Sequence, residues 1–472
     1  MLNKKIYREE IISRENNRSD ISENASEESF EGKKIFVRTF GCQMNEKDSE
    51  RIIGMLKGGI AVNSPEEADI IILNTCAVRE KPEHKVYSEA GKYLKIRKHK
   101  KNLKVGVTGC VAQLKGSEII KKVDVDFVVG TAALYKIPNI IKEVLKGKVV
   151  VDTSLDVNLS DRFESPIPYE FYNGSRVKAY VTIQEGCNQF CTFCVVPMTR
   201  GREITRPASD IIREIVELVS SGVREVTLIG QNVNGYGWNT PGEISFAELL
   251  RQINKIDGLY RIRFTTSNPR YMNDELIDAM AECDKVCEHL HLPVQSGSNR
   301  TLKKMGRRHT IEEYYEILEK LRKAIPNCAI TTDIIVGFPG ETDQDFEETM
   351  NLIKTIRFDD IFSFKFSPRP GTIASRMTDQ IPEDIKSERL RILQATQDEI
   401  TKQIMQSYIG KVEEILVEGP AERNQETDST GRTRTNKVVN FKGNPKPGEI
   451  VKIKITEAFR NSLKGEIAEN VV

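Results

Sequence analysis

The 472-residue chain is too long for one small core and predicts two to four domains, at least one of them large enough for an enzyme. Hydrophobic residues make up 39% and charged residues 29%, and no apolar stretch approaches the length of a membrane span, so membrane-spanning helices are excluded and no membrane partner is expected. The 70 basic residues nearly balance the 69 acidic ones, and any nucleic-acid site must therefore be a local patch.

Residues 1–31 hold eight acidic and five basic residues without an apolar period, which predicts a disordered tail. The opening run lacks the apolar segment of a secretory signal, so we expect a cytoplasmic protein. Its nine cysteines would then be reduced, and metal or redox chemistry explains them better than disulfide bonds.

Short β-branched runs alternate with helical stretches between residues 32 and 150: KIFVRTFG, ADIIILNT, KVGVTG and VDFVVGT. This alternation predicts an open parallel sheet with crossover helices. Residues 151–175 are rich in Asp, Ser, Asn and Pro without a hydrophobic period, which indicates an interdomain linker.

A second alternating series covers residues 176–408, with six strand-like runs that begin at VKAYVTIQEG and end at DIFSFKFSP. Six strand–helix units predict a partial or complete (β/α) barrel. We expect one long helix at the end of this domain, ended by Gly410. Residues 409–472 contain short strands broken by Gly and Pro, which is typical of a small, OB-like all-β barrel. The predicted fold class is a multidomain α/β protein with a C-terminal all-β domain.

Cys187, Cys191 and Cys194, here called the barrel triad, form a Cys-x3-Cys-x2-Cys motif directly after the first strand of the second domain. Three thiolates this close can hold three corners of a cubane iron–sulfur cluster and leave the fourth iron open. An open position is what a catalytic metal site needs. A zinc knuckle or chance clustering is the alternative, but no fourth Cys or His follows at zinc-finger spacing.

Cys42, Cys76 and Cys110, here called the N-terminal triad, are spaced 34 residues apart, and each follows a predicted strand. The loops after the strands of an open parallel sheet converge on one crevice, so we expect the three thiols to meet. Ordinary buried cysteines are the alternative. The remaining cysteines share no such pattern and are interpreted as core residues: Cys283, Cys287 and Cys328.

The cysteine loop after the first barrel strand resembles that of the radical S-adenosylmethionine (SAM) superfamily. With the upstream triad and the small β domain, the chain resembles the methylthiotransferases over its whole length except the tail. The resemblance is closest to the tRNA-2-methylthio-N6-dimethylallyladenosine synthases, the MiaB family. It is carried by TFGCQMNEKDSE, LNTCAVREKPEHKVY, VTGCVAQ, IQEGCNQFCTFCVVPMTRGRE, LIGQNVNGYG, HLPVQSGSNRTLKKMGRRHT, TDIIVGFPGET and FKFSPRPGTIA.

The resemblance implies an enzyme that adds a methylthio group to C2 of N6-isopentenyladenosine next to the tRNA anticodon. The barrel triad would hold a 4Fe–4S cluster that binds SAM and, when reduced, cleaves it to a 5'-deoxyadenosyl radical. The N-terminal triad would hold an auxiliary 4Fe–4S cluster that carries the sulfur to be transferred. All six cysteines would then be both metal ligands and catalytic residues.

The resemblance also places SAM near polar residues and glycines at strand ends that face the mouth of the barrel. These residues are equally compatible with turn or helix-cap chemistry: Gln231, Asn232, Ser267, Gln295, Ser296, Asp333, Gly337 and Glu341. Phe193 would lie near the SAM adenine or pack beneath the loop. Asn268 and Met198 replace the His and Tyr that are usual in the family, so no proton-donor or stacking role is carried over to them.

Residues 432–446 contain five basic residues, no acid and one aromatic ring. In the family this region belongs to a TRAM domain that grips tRNA. The resulting candidates for RNA contact are Arg432, Arg434, Lys437, Phe441 and Lys442. A solvated basic edge is the alternative.

The nearest alternatives keep the chemistry and change the substrate to threonylcarbamoyladenosine in tRNA or an aspartate of a small-subunit ribosomal protein. The basic segment favours RNA, because a phosphate backbone needs cations. An alternative of another class is a non-catalytic iron–sulfur RNA-binding protein, against which the two triads argue. The expected partners are tRNA carrying isopentenyladenosine, a reduced electron-donor protein and a sulfur donor, and we expect a monomer.

Overall fold

The computed structural model describes residues 30–77, 80–155, 163 and 176–468. The predicted disordered tail lies outside the described residues except for its last two, and so does most of the predicted linker. Phe30 is buried against Ile35 and Ile52, so the packed part of the first domain already includes the end of the predicted tail. Among the described residues, no helix is both long enough and apolar enough to cross a membrane.

The first domain is a parallel sheet covered by helices. Its strands are β1 (Lys34–Thr39), β2 (Ile60–Ala61), β3 (Ile70–Thr75), β4 (Lys104–Gly109), β5 (Phe127–Val129) and β6 (Val150–Asp152). Its helices are α1 (Gln43–Met55), α2 (Glu80–Arg97), α3 (Cys110–Lys115), α4 (Ser117–Lys122) and α5 (Ile137–Leu145). The strand order is β2-β1-β3-β4-β5-β6, and β3 is buried at every position, as expected of a central strand between two helix layers. The last strand, β6, extends two residues into the predicted linker.

The second domain is a partial (β/α) barrel. Its strands, with a short hairpin β8–β9 after the first of them, are β7 (Lys178–Thr182), β8 (Gln184–Glu185), β9 (Ile204–Thr205), β10 (Glu225–Ile229), β11 (Arg261–Phe264), β12 (His289–His291), β13 (Ala329–Val336) and β14 (Asp360–Lys365). Its helices are α6 (Val196–Thr199), α7 (Ala208–Ser220), α8 (Phe246–Asn254), α9 (Asp274–Glu282), α10 (Asn299–Met305), α11 (Ile311–Ala324), α12 (Asp343–Ile356) and α13 (Glu383–Gln406).

The barrel does not close. Two three-stranded parallel sheets, β11-β10-β7 and β12-β13-β14, are joined by a single parallel bridge between Ile262 and Val286. Among the described strands, β7 pairs in this barrel only with β10, and β14 pairs only with β13. The first and the last strand of the barrel are therefore not joined by strand pairing. The long helix α13 ends at Gln406, four residues before the predicted stop at Gly410.

The third domain is a closed five-stranded barrel. Its strands are β15 (Val412–Pro420), β16 (Asp428–Arg432), β17 (Val438–Lys442), β18 (Ile450–Ala458) and β19 (Leu463–Ile467). They follow the order β15-β16-β17-β19-β18 around an apolar core. The mixed α/β architecture with a small C-terminal β-barrel confirms the predicted fold class.

The C-terminal barrel is attached to the amino ends of the partial barrel's strands. Arg261, the first residue of β11, donates hydrogen bonds to the Arg432 carbonyl at 2.6 Å and to the Glu414 carboxylate at 3.0 Å. Lys178, the first residue of β7, pairs with Glu418 at 2.6 Å. The cysteine loops follow the carboxyl ends of strands, so they lie at the opposite end of the partial barrel.

Candidate active site

The N-terminal triad lies at the carboxyl ends of three neighbouring strands. Cys42 follows β1, Cys76 follows β3, and Cys110 begins α3 directly after β4. Because these strands are adjacent in the sheet, their ends bring the three thiols to one cavity of about 60 Å³, here called the triad cavity. The structure thus brings together the three cysteines whose equal spacing predicted a shared site.

Two glycines permit this close approach. Gly41 precedes Cys42 with a φ of +134°, and a Cβ at this position would lie 2.6 Å from the Cβ of Cys76. Gly109 precedes Cys110 with a φ of +90°, and a Cβ there would lie 2.4 Å from the Thr75 carbonyl oxygen. Any side chain at either position would push the strand ends apart.

The opposite wall of the triad cavity belongs to the second domain. It comes from the loop and short helix after the barrel triad and from the end of β10: Val195, Val196, Thr199, Arg200 and Gln231. Gln231, predicted to contact SAM, thus faces the N-terminal triad, and its side-chain oxygen accepts a hydrogen bond from the Gly186 backbone N–H. One stretch of chain therefore links the two sites. It carries the barrel triad and then continues into the wall of the triad cavity.

Arg200 provides the positive charge of the triad cavity. It is buried and donates a hydrogen bond to the buried carboxylate of Asp48 on α1. Burial opposes the charge of Arg200, but Asp48, Cys110 and Glu185 together outweigh it and hold the pKa of Arg200 well above its usual value. A permanently charged guanidinium beside three thiols favours their deprotonated, metal-binding form.

The three thiols of the N-terminal triad are electrostatically unequal. A hydrogen bond with Cys76, helped by the charge of Arg200 against the cost of burial, lowers the pKa of the Cys42 thiol to about 6. Burial raises the pKa of Cys110, although Arg200 counteracts it. Cys42 is therefore the thiol that most readily becomes a thiolate at neutral pH.

The barrel triad lies on the loop between β8 and α6. The Cys194 backbone N–H donates to the Cys191 carbonyl at 3.0 Å, which folds the loop into a tight turn. The Arg307 guanidinium lies 3.8 Å from the Cys191 sulfur. Burial raises the pKa of Cys187 to about 11 and that of Cys194 to about 12, so a metal must displace protons from these thiols when it binds.

The donor chemistry of both triads fits an iron–sulfur cluster better than a single metal ion. Among the described residues, no three cysteine, histidine or carboxylate side chains are close enough to bind one ion together. In a cubane cluster, by contrast, each thiolate binds a different iron. The other cysteines are buried, and Cys283 and Cys328 belong to the apolar core of the partial barrel, in agreement with their interpretation as packing residues.

Unpaired polar atoms mark the mouth of the barrel near the barrel triad. The Asn232 Oδ1 and the Ser267 Oγ are buried without a hydrogen-bond partner among the described residues, after β10 and β11 respectively. Buried polar groups are normally paired, so these atoms fit a ligand with polar groups, such as SAM. Both residues were predicted at this position.

Sequence reasoning missed two members of this polar group. Gln184 is fully buried, and its side-chain oxygen has no hydrogen-bond partner among the described residues. Burial raises the pKa of the neighbouring Glu203. Gln184 stands two residues after the end of β7, so its position at a strand end was the available signal.

Two further predicted SAM contacts lie at the end of the second half of the barrel. The Gln295 backbone N–H donates to the Asp333 carbonyl at 2.9 Å, and Gln295 has a φ of +76°, a strained value for this residue type. The Asp333 carboxylate lies 3.6 Å from the His291 Nε2. Both residues remain candidates for contact with a ligand in the barrel.

Four predicted SAM contacts also have packing or hydrogen-bond partners within the protein, and their contact with SAM stays a prediction. Ser296 lies 3.4 Å from the Thr349 hydroxyl of α12. Glu341 accepts hydrogen bonds from the Gly337 backbone N–H at 2.8 Å and from an Arg389 of α13 at 2.7 Å, so this loop is fastened to the outer helix. Phe193 packs edge-on against Phe338 at 6.3 Å, which is the packing alternative. These tertiary contacts link residues far apart in the chain and could not be predicted from the local sequence.

The predicted RNA contacts are also divided by the structure. Phe441 is 1% exposed in the core of the C-terminal barrel, so it offers no ring for base stacking. Arg434 makes hydrogen bonds of 2.7 to 3.0 Å with the Glu288 carboxylate, and Lys437 pairs with Asp359 at 2.7 Å. These two cations attach the C-terminal barrel to the partial barrel. Of the remaining candidates, Arg432 is partly exposed but pairs with Glu418 at 3.2 Å, and Lys442 is exposed.

Three family models match the chain, one in each of its three domains. The Radical SAM superfamily matches residues 181–353, the Uncharacterized protein family UPF0004 matches residues 34–130, and the TRAM domain matches residues 406–468. Among solved structures, a radical S-adenosylmethionine methyltransferase, TsrM, from Kitasatospora setae covers 73% of this chain and 75% of its own, with a TM-score of 0.55 and 12% identity. At this identity the likeness concerns the fold alone.

Relatives of known name match nearly the whole chain. Each is a tRNA-2-methylthio-N(6)-dimethylallyladenosine synthase. The one from Thermodesulfovibrio yellowstonii is 47% identical over 93% of this chain and 99% of its own length. The one from Syntrophus aciditrophicus is 47% identical over 93% and 96%, and that from Clostridium botulinum is 48% identical over 92% and 96%. The chain therefore belongs to the tRNA-2-methylthio-N6-dimethylallyladenosine synthase family of radical SAM proteins.

Proposed function

We propose that this protein is a radical SAM methylthiotransferase that adds a methylthio group to C2 of N6-isopentenyladenosine next to the anticodon of tRNA. One observation carries this proposal beyond the similarity of sequence. The stretch that bears the barrel triad continues directly into the wall of the triad cavity, through Val195 and Arg200. Two metal-binding sites that share a wall suit a reaction in which one site activates a carbon and the other delivers sulfur.

The barrel triad would hold the 4Fe–4S cluster that membership of the radical SAM superfamily implies, with SAM beside it. When bound and reduced, this cofactor pair supplies a 5'-deoxyadenosyl radical, a reagent strong enough for an unactivated C–H bond. The unpaired atoms of Asn232 and Ser267 would then be satisfied by polar groups of SAM. Arg307 would balance the negative charge of the thiolates.

The N-terminal triad would hold a second 4Fe–4S cluster, the auxiliary cluster, which keeps the sulfur for transfer. Support comes from the convergence of Cys42, Cys76 and Cys110 on one cavity and from the buried charge of Arg200 beside them. The cavity walls are otherwise largely apolar, which would suit a reactive sulfur species better than a polar lining. A sulfur donor would have to replace the sulfur after each turnover.

The remaining partners follow from the domains. The TRAM domain supports tRNA as substrate, and Arg432 and Lys442 are its candidate phosphate contacts among the residues predicted from sequence. Cys191 is only partly buried, so an electron-donor protein would find the barrel triad close to the surface. We propose that the protein acts as a monomer, because each triad is complete within one chain.

Two cysteine substitutions test this division of labour. Cys191→Ala should abolish the release of 5'-deoxyadenosine from SAM, because the barrel triad loses a ligand. Cys76→Ala should retain part of this release but form no methylthio product, because only the sulfur site is lost. Both variants are reconstituted anaerobically, and iron content and electron paramagnetic resonance spectra are recorded beside the two products.

Cys328→Ala is the matched control, since Cys328 is a buried cysteine outside both triads. It should retain the iron content and both products of the wild type. Equal loss of 5'-deoxyadenosine release in Cys191→Ala and Cys76→Ala would refute separate roles for the triads. Wild-type protein that binds iron and RNA without consuming SAM would instead indicate the non-catalytic alternative.

A further inference from the structure

The inner face of the partial barrel carries an exposed phenylalanine. On β12 and β14, Leu290 and Ile361 belong to the core beneath the outer helices, so the alternating neighbours His291 and Phe362 point inward. Their rings meet edge-on at 5.6 Å. Phe362 is nevertheless 47% exposed, because β14 is an edge strand at the opening of the barrel. A large apolar side chain is thus accessible on the inside of the barrel.

The cations on the inner face are already paired. Lys178 pairs with Glu418 at 2.6 Å, Arg261 with Glu414 at 3.0 Å and Arg263 with Glu225 at 3.0 Å. Among the inward positions on the described barrel strands, no lysine or arginine is left to neutralise an anionic ligand.

An acidic side chain next to Phe362 makes the inner face still less suited to an anionic ligand. Asp333 lies next to Phe362 in the register of β13 and β14, and its carboxylate is 29% exposed. The nearest partner of this carboxylate is the His291 Nε2, 3.6 Å away. The other ring nitrogen of His291 lies 3.0 Å from the Thr331 hydroxyl. A second carboxylate brought here would meet a negative charge and no unpaired lysine or arginine of the described barrel strands, whereas an apolar group would meet an aromatic ring.

We propose that Phe362 contacts the N6 substituent of the target adenosine, and that the inner face thereby selects an uncharged, apolar substituent over an anionic one. This inference rests on the proposed function and deepens it. Such an inner face would favour the dimethylallyl group over the threonylcarbamoyl group, because the latter carries a carboxylate. Phe362 acts as a specificity-determining residue and takes no part in the chemical step.

The test compares three anticodon stem-loop RNAs that differ only at N6 of one adenosine, which carries dimethylallyl, threonylcarbamoyl or no substituent. Fluorescence anisotropy gives the Kd of each RNA for wild type, Phe362→Ala and Phe362→Leu. Wild type should bind the dimethylallyl RNA most tightly. Phe362→Ala should reduce the preference of the protein for the dimethylallyl RNA over the unmodified RNA by about tenfold, the usual scale for a lost apolar contact. Phe362→Leu, which keeps an apolar side chain, should retain most of it and guards against a folding defect.

Tyr315→Ala is the matched control, because Tyr315 is an exposed aromatic residue on the outer helix α11, away from the inner face and from the third domain. It should leave all three Kd values unchanged. The inference is overturned if Phe362→Ala keeps the wild-type preference, or if wild type binds the threonylcarbamoyl RNA as tightly as the dimethylallyl RNA. Nucleoside analysis of the same RNAs tests the proposed function separately from the role of Phe362. The proposed function fails only if wild type forms no methylthio product on the dimethylallyl RNA.

Discussion

Arg200 is the residue at which the two halves of the candidate site meet. It belongs to the second domain but lies in the wall of the triad cavity and pairs with Asp48 of the first domain. Two more ion pairs connect α1 to the second domain, Lys47 with Glu214 at 2.7 Å and Glu50 with Arg176 at 2.8 Å. A buried charge is costly unless it is paired, so the Asp48–Arg200 pair is expected to fix the relative position of the triads.

Asp48→Ala should therefore destabilise the protein strongly. The substitution leaves the Arg200 guanidinium buried without its carboxylate, which typically costs about 3–5 kcal/mol of unfolding free energy. Urea unfolding of the anaerobic protein measures the change. Glu388→Ala removes an exposed ion pair with Arg391 instead and should leave the unfolding midpoint unchanged. Similar midpoints for the two variants would argue that the buried pair does not hold the domains together.

At the scale of elements, strands with continuous or alternating apolar residues were predictable, and short polar ones were not. The runs around β1, β3, β4 and β13 are strands as predicted. The sequences of β16 and β19, DSTGR and LKGEI, lack an apolar run, and these strands exist because they close a barrel. Long-range closure of this kind leaves no mark in the local sequence.

The candidate site was predictable where backbone geometry alone decides it. Both triads follow strand ends, and the topology of a parallel sheet brings such ends together. Side-chain direction was harder to predict. Glu341 turns to Arg389, 48 residues away in sequence, and no local pattern announces such a pair. Phe441 could have been placed correctly, because Val439 and Phe441 alternate along β17 with the polar residues Asn440 and Lys442.

The loop between β16 and β17 should serve domain attachment and not RNA binding. Arg434→Ala removes the charged hydrogen bonds to Glu288 and should destabilise the attachment of the C-terminal barrel by roughly 1–3 kcal/mol. Limited proteolysis at the junction after α13 and differential scanning calorimetry detect this loss.

Lys442→Ala is the matched comparison, because Lys442 is exposed on the adjacent strand. It should leave the stability unchanged but weaken RNA binding and reduce its dependence on salt. If Arg434→Ala weakens RNA binding as much as Lys442→Ala and leaves the domains equally resistant to protease, then Arg434 contacts RNA and the attachment role is wrong.

At the scale of the whole molecule, the partial barrel has different neighbours at its two ends. The triads occupy the carboxyl ends of strands, while the TRAM domain covers the amino ends through residues such as Arg261 and Arg263. β7 and β14 do not pair with each other, and Phe362 is exposed on the inner face of β14 beside this gap.

The measurement that tests the central claim most directly is nucleoside mass spectrometry of tRNA carrying isopentenyladenosine. The tRNA is incubated anaerobically with the reconstituted protein, SAM and a reductant. We predict a new methylthio-isopentenyladenosine peak in the complete reaction and none when SAM is omitted. Cleavage of SAM to 5'-deoxyadenosine without this peak would contradict the assigned substrate, and the absence of both would contradict the radical chemistry itself.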